Sequence, residues 1–87
     1  DAYLLEQNYP NPFNPVTKIK FQMPKSEFAL LRVFDVTGKE IISLVNEELK
    51  PGIYEIDWDA SNYPSGIYFY TLNTDHYRAT KRMILVK

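Results

Sequence analysis

Residues 8–15 read Asn8-Tyr9-Pro10-Asn11-Pro12-Phe13-Asn14-Pro15, and three prolines in eight positions exclude both a helix and a central β-strand there. Each ring fixes its own φ near −65° and pushes the residue before it toward extended geometry. The intervening Asn side chains can close turns on nearby backbone. The segment is therefore expected to be stiff, extended and free of ladder hydrogen bonds. Two compatible roles suit it: a rigid spacer that orients the domain against something upstream, and a cover over a sheet edge anchored by Phe13.

The rest of the chain is short and β-patterned. Val16–Met23 alternates, with Thr17, Ile19, Phe21 and Met23 on one face, and Pro24 ends it. Phe28–Asp35 places Ala29, Leu31 and Val33 toward a core and Arg32 toward solvent, while Leu30 and Phe34 make the outer face partly apolar. Val36-Thr37-Gly38-Lys39 supplies a tight turn into Glu40–Val45, which predicts a hairpin, with Asp35 accepting backbone N–H groups. Asn46–Gly52 reads as a polar loop closed by a type II turn at Pro51-Gly52. Ile53–Trp58 follows, with Tyr54, Ile56 and Trp58 inward, then a loop over Asp59–Gly66. Ile67–Asn73 and a last strand over His76–Val86 complete six or seven strands. No segment carries helix start and stop signals. Short, evenly spaced strands favour an all-β, antiparallel, immunoglobulin-like sandwich of about seven strands over a barrel. The triplets Gly52-Ile53-Tyr54 and Gly66-Ile67-Tyr68 both open strands after proline-bearing loops; the second resembles a tyrosine corner, in which the Tyr68 hydroxyl ties the strand to the loop before it.

At 87 residues the chain reads as a single domain, 1–87, with the lead-in over 1–15 and the sandwich over 16–87. That leaves no room for a deep catalytic cleft. The absence of cysteine removes disulfides, thiolate metal sites and thiol catalysis. Ten Lys and Arg against eleven Asp and Glu, with no basic run before the end, lack the footprint of a nucleic-acid binder. No apolar run is long enough to insert in a membrane as a helix.

Few residues invite chemistry. His76, the lone histidine, sits in an expected turn beside Asp75, and a sequence neighbour does not make a catalytic triad. Asp57 and Asp59 flank Trp58 and would lie about 7 Å apart on one side of a strand, a spacing open to a cation but ordinary for solvated strand-end carboxylates. Tyr63 and Tyr77 are the exposed aromatics that a carbohydrate-binding accessory module would stack on a sugar ring, yet two do not make a platform. No catalytic residue, cofactor or metal is expected. The closing run Lys81-Arg82-Met83-Ile84-Leu85-Val86-Lys87 has two readings: a tag bound by strand addition or by a pocket for the chain end, or an ordinary last strand whose lysines discourage aggregation.

The ordered set Gln7–Pro15, Phe34-Asp35-Val36-Thr37-Gly38, Gly52-Ile53-Tyr54 with Trp58-Asp59, Ser65–Tyr70 and Lys81–Leu85 resembles the type A C-terminal sorting domain of type IX secretion. That family is similar in fold to the immunoglobulin-like domain of flagellar hook-capping proteins, so a hook-assembly scaffold is the rival within the resemblance. Three positions depart from the family wording: Ala60 stands where Gly commonly follows Trp-Asp, Phe34 replaces Tyr, and Met23-Pro24 replaces Leu-Pro.

The resemblance implies an address and not an enzyme. It implies a domain at the end of an exported Gram-negative protein that folds in the periplasm and directs an attached upstream cargo through an outer-membrane translocon to the cell surface. It further implies that Lys81–Lys87 carries the part most directly read, and that a sortase-like peptidase cuts near Asp1–Gln7 in many homologues while others stay attached.

Overall fold

The computed structural model describes residues 2–87. Seven strands run as β1 (Leu4–Leu5), β2 (Val16–Met23), β3 (Glu27–Phe34), β4 (Glu40–Leu49), β5 (Gly52–Asp59), β6 (Gly66–Asn73) and β7 (Arg78–Leu85). They form two antiparallel sheets, ordered β1-β2-β5 and β4-β3-β6-β7, with no helix among the described residues. This is the expected all-β, immunoglobulin-like sandwich.

Alternation builds the core from both sheets. Ile19, Phe21, Met23 and Trp58 of one meet Ala29, Leu31, Val33, Tyr70, Leu72, Met83 and Leu85 of the other, all buried. The β3–β4 hairpin forms around Gly38 at φ 86, whose N–H donates to the Asp35 carbonyl at 3.0 Å. Asp35 Oδ1 accepts from Thr37 N at 2.9 Å, the Thr37 hydroxyl at 2.6 Å and Lys39 N at 3.1 Å. The carboxylate is therefore the expected turn acceptor, and these bonds, the Thr37 hydroxyl first, hold its pKa below the ordinary value against the opposing effect of burial.

Strand boundaries differ from the sequence expectation where composition and pairing disagree. The polar stretch Asn46–Leu49 is the second half of β4, because Leu30, Ala29, Phe28 and Glu27 supply a ladder for it. An edge strand exposed on most of its surface has no need of apolar residues, so its composition resembles a loop. Register shifts between Leu31 and Arg32 and between Val33 and Phe34 bulge β4, which discourages edge-to-edge pairing. Pro51-Gly52 is not a type II turn: Gly52 lies at φ 156, far from the +80° such a turn needs.

Gly66 lies at φ 152, and the two glycines precede matching corners. The Tyr54 hydroxyl donates to the Lys50 carbonyl at 2.6 Å, and the Tyr68 hydroxyl to the Pro64 carbonyl at 2.6 Å. The expected tyrosine corner at Tyr68 is thus present, and Tyr54 repeats it where the chain crosses from β4 to β5.

Candidate functional site

The lead-in is woven into the domain. Leu4–Leu5 pairs with Phe21–Gln22 to make β1, and Tyr9 exchanges backbone bonds with Lys18, both at 2.9 Å. The expected absence of ladder bonds is therefore corrected. Proline removes only its own N–H, and Leu4, Leu5, Tyr9 and Phe13 between and before the rings keep theirs. The Tyr9-Pro10, Asn11-Pro12 and Asn14-Pro15 bonds are cis.

Three side chains fasten this segment. Asn8 is buried; its N–H donates to the Tyr70 hydroxyl at 2.7 Å and its Nδ2 to Thr17 Oγ1 at 3.0 Å and the Pro10 carbonyl at 3.2 Å. The Tyr70 hydroxyl in turn donates to the Glu6 carbonyl at 2.7 Å. Burial pushes the Tyr70 phenol up to about 12, so it stays a neutral donor and acceptor at any ordinary pH. Phe13 is 1 % exposed and lies 5.8 Å from the Trp58 ring, inside an aromatic group completed by Tyr63 and Tyr68. Of the two roles open to the lead-in, Phe13 performs the second: it anchors a cover.

What it covers is the last strand. β7 is an edge strand paired with β6 from Arg78 to Leu85. Asn11 Oδ1 accepts the Ile84 N–H at 2.9 Å, Phe13 N donates to the Ile84 carbonyl at 2.9 Å, and Val86 N donates to the Phe13 carbonyl at 2.9 Å. Gln7 Nε2 reaches the Arg82 carbonyl at 2.6 Å. In an antiparallel ladder alternate residues turn their backbone groups outward, so Arg78, Thr80 and the Arg82 N–H face the same side as Ile84 and lie beyond the reach of these bonds. These bonds close the edge over Arg82–Val86, and β1 packs alongside β7. A partner strand could not add along the closed half without displacing Asn11 and Phe13.

The seven residues of the closing run divide by alternation. Met83 and Leu85 are buried in the core, Lys81 and Ile84 half-buried, and Arg82, Val86 and Lys87 exposed. Lys87 N donates to Ser65 Oγ at 3.1 Å and its Nζ to the Ser61 carbonyl at 2.6 Å, which lays it along the β5–β6 loop. Of the lead-in motif, Asn8 and Phe13 are buried and Pro15 half-buried, while Tyr9, Pro10, Asn11, Pro12 and Asn14 face solvent. Ala60, in the place of the family glycine, is buried, has no positive φ, and donates its N–H to the Pro15 carbonyl at 2.8 Å.

The residues weighed for other chemistry are absorbed by structure. Tyr63 packs on Trp58 at 5.5 Å, and Tyr77 stacks on Tyr3 at 4.8 Å and 8°; the loops that carry them lie at opposite ends of β6, so they share no sugar platform. Asp57 pairs with Lys18 at 3.0 Å. Asp59 accepts from the Ser61 N–H at 2.9 Å and from its hydroxyl; these bonds, the hydroxyl first, lower its pKa. His76 Nδ1 lies 3.3 Å from Glu27 Oε1, which also accepts the Asp75 N–H at 2.9 Å, while the Tyr3 hydroxyl donates to Oε2. Burial works to raise the Glu27 pKa, but these donors outweigh it and the net shift is downward. Periodicity could not have paired Glu27 with Tyr3 and His76, which lie 24 and 49 residues away. Among the described residues no three His, Cys, Asp or Glu side chains converge as a metal site.

Fold and geometry define a small immunoglobulin-like β-sandwich whose strand β7 is both core and surface, held by a clasp from the lead-in. The family model of the secretion system C-terminal sorting domain matches residues 7–87, and the chain belongs to that family. It is a C-terminal sorting domain of type IX secretion, which marks an attached protein for export to the cell surface or beyond. Among solved structures, dimeric latent PorU from Porphyromonas gingivalis contains a similar fold, with TM-score 0.67 and 19 % identity over 97 % of this chain. This chain spans 9 % of that one. No curated protein sequence matches.

Proposed function

We propose that the domain is an address read on the solvent side of β7 and its extension, at Arg82, Ile84, Val86 and Lys87, while Met83 and Leu85 hold that surface in place and Lys81, opposite the buried Tyr70, lies half-buried on the inner side. The observation that carries this is the division of the closing run: its backbone edge is occupied by Asn11 and Phe13, so exposed side chains are what a receptor meets. The motif Asn8–Pro15 serves as the clasp that fixes the presentation. The reader is an outer-membrane translocon, the cargo is joined upstream, and a sortase-like peptidase acts before the clasp, near Asp1–Gln7. Asp1 lies outside the described residues. The domain is read as contributing no catalysis: the His76 ring meets the Glu27 carboxylate, and the Thr74 hydroxyl is engaged by the His76 backbone N–H and not by the ring.

The experiment fuses residues 1–87 behind a reporter in a host that carries the translocon. Deleting Lys81–Lys87 would be uninformative, because it removes Met83 and Leu85 from the core. The charge-reversed pair Arg82→Glu with Lys87→Glu touches only exposed side chains and is expected to keep the fold and abolish surface delivery. Delivery at the unmodified level by that folded variant would refute the assignment of the signal to β7.

A further inference from the structure

The outer face of the four-stranded sheet has an acidic side at β4 and a basic side at β7, with apolar side chains between them and Arg32 of β3 lying over the Phe34 ring at 5.2 Å. Registers align Glu40 of β4, Phe34 of β3, Phe69 of β6 and Arg82 of β7 in one row across the sheet. Glu48 extends the acidic side along β4, and Arg78 the basic side along β7. All four charged residues are exposed; Phe34 and Phe69 are half-buried, and Phe28 and Ile67 add apolar surface at 44 % and 38 % exposure. Glu40 reaches Arg32 at 3.5 Å, but Glu48, Arg78 and Arg82 enter no ion pair among the described residues.

Such an arrangement is self-complementary. Rotation by half a turn about an axis parallel to the strands sets a second copy face to face with the first and exchanges the two sides of the sheet. Glu40 then opposes the other copy's Arg82, Phe34 opposes its Phe69, and each contact occurs twice, as a closed two-fold interface requires. Four strands of about eight residues offer roughly 500 Å² per copy, close to the lower bound of about 1,000 Å² in total for a specific interface. Twist sets the two faces at a small angle and keeps the match along the central row.

We infer that the occupant of this face is a second copy of the chain, bound weakly and symmetrically. The opposed charges select this pairing over other apolar contacts by penalising like-charge arrangements. Arg82 also belongs to the strand proposed above as the sorting signal. The consequence that pairing hides that signal rests on that reading, whereas self-association does not.

Sedimentation of the 87-residue domain tests it without any translocon. The chain is expected to be monomeric when dilute and dimeric at concentrations on the order of 100 µM. Glu40→Arg and Arg82→Glu should each weaken self-association by about tenfold or more, because each places like charges opposite one another twice. An equimolar mixture of the two variants should regain association, since every pair is again opposite. Phe69→Lys, which leaves the Glu40–Arg32 pair intact, should abolish it as well. A chain that stays monomeric at about 1 mM leaves the face to a different macromolecule and overturns the inference. So does a dimer indifferent to the single reversals, or a mixture that fails to recover.

Discussion

Replacing Phe13 by alanine separates a spacer from a clasp. A residue in a spacer contributes nothing to the stability of the domain beyond it, whereas Phe13 is 1 % exposed and packs on Trp58 at 5.8 Å. Truncation of a fully buried Phe costs about 3–5 kcal/mol, from lost transfer free energy and the cavity left behind. A domain of 87 residues has roughly 4–13 kcal/mol in total, so the loss is a large share of it. The midpoint of thermal unfolding should fall by about 12 °C or more, at roughly 4–8 °C per kcal/mol for a domain of this size.

Urea unfolding followed by tryptophan fluorescence measures the change, because Trp58 is the partner that loses contact. Amide exchange supplies a second reading: Ile84 and Val86 N–H donate to Asn11 and Phe13, and should lose protection beyond the global change. Asn11→Ala removes only the bond from Ile84 N, at a position where water can replace the acceptor, and should cost about 1 kcal/mol or less. A loss below about 1 kcal/mol in Phe13→Ala, with Ile84 and Val86 still protected, would refute the clasp.

Other outcomes follow from the same geometry. Tyr68→Phe should cost about 1 kcal/mol in urea unfolding by freeing the Pro64 carbonyl, and Tyr54→Phe less, because its loop is more exposed. Gly66→Ala should destabilise by about 1–3 kcal/mol although nothing stands within 4 Å of the added methyl, since φ 152 is the obstacle; a neutral result would remove the backbone argument for the second corner. Glu27, Asp35 and Asp59 all have lowered pKa values in the folded chain, so the stability they provide is present above the ordinary carboxylate range and is lost as pH falls through their folded values. A midpoint in urea unchanged from pH 6 to about pH 3 would contradict this. Tyr70 has the opposite sign: its stabilisation is intact below the ordinary phenol value of 10.0 and is lost as pH rises through about 12. An absorbance titration of the folded domain should show this phenol ionising late, at about 12.

Local patterns with a fixed period were legible in the sequence. The inward faces of β2, β3, β5 and β6, the Gly38 hairpin and the Tyr68 corner follow from alternation and turn chemistry, which depend on near neighbours alone. The family was legible too, because its motifs keep their order along the chain. Asn46–Leu49 was misread because an edge strand takes its identity from the partner it pairs with and not from its own residues. The corner at Tyr54 was recognisable only as a likeness between two triplets.

By itself, the sequence determined an antiparallel sandwich, a rigid start and a β-forming finish. Only the tertiary structure decided that start and finish are the same site. Asn11 and Ile84 are 73 residues apart, and no periodic signal links positions whose only relation is that two sheets bring them to one edge. The closing run could likewise be read as tag or as core, and it is both. A strand at a sheet edge sends alternate side chains inward, and here the free half of its backbone ladder is completed by a segment from the other end of the chain.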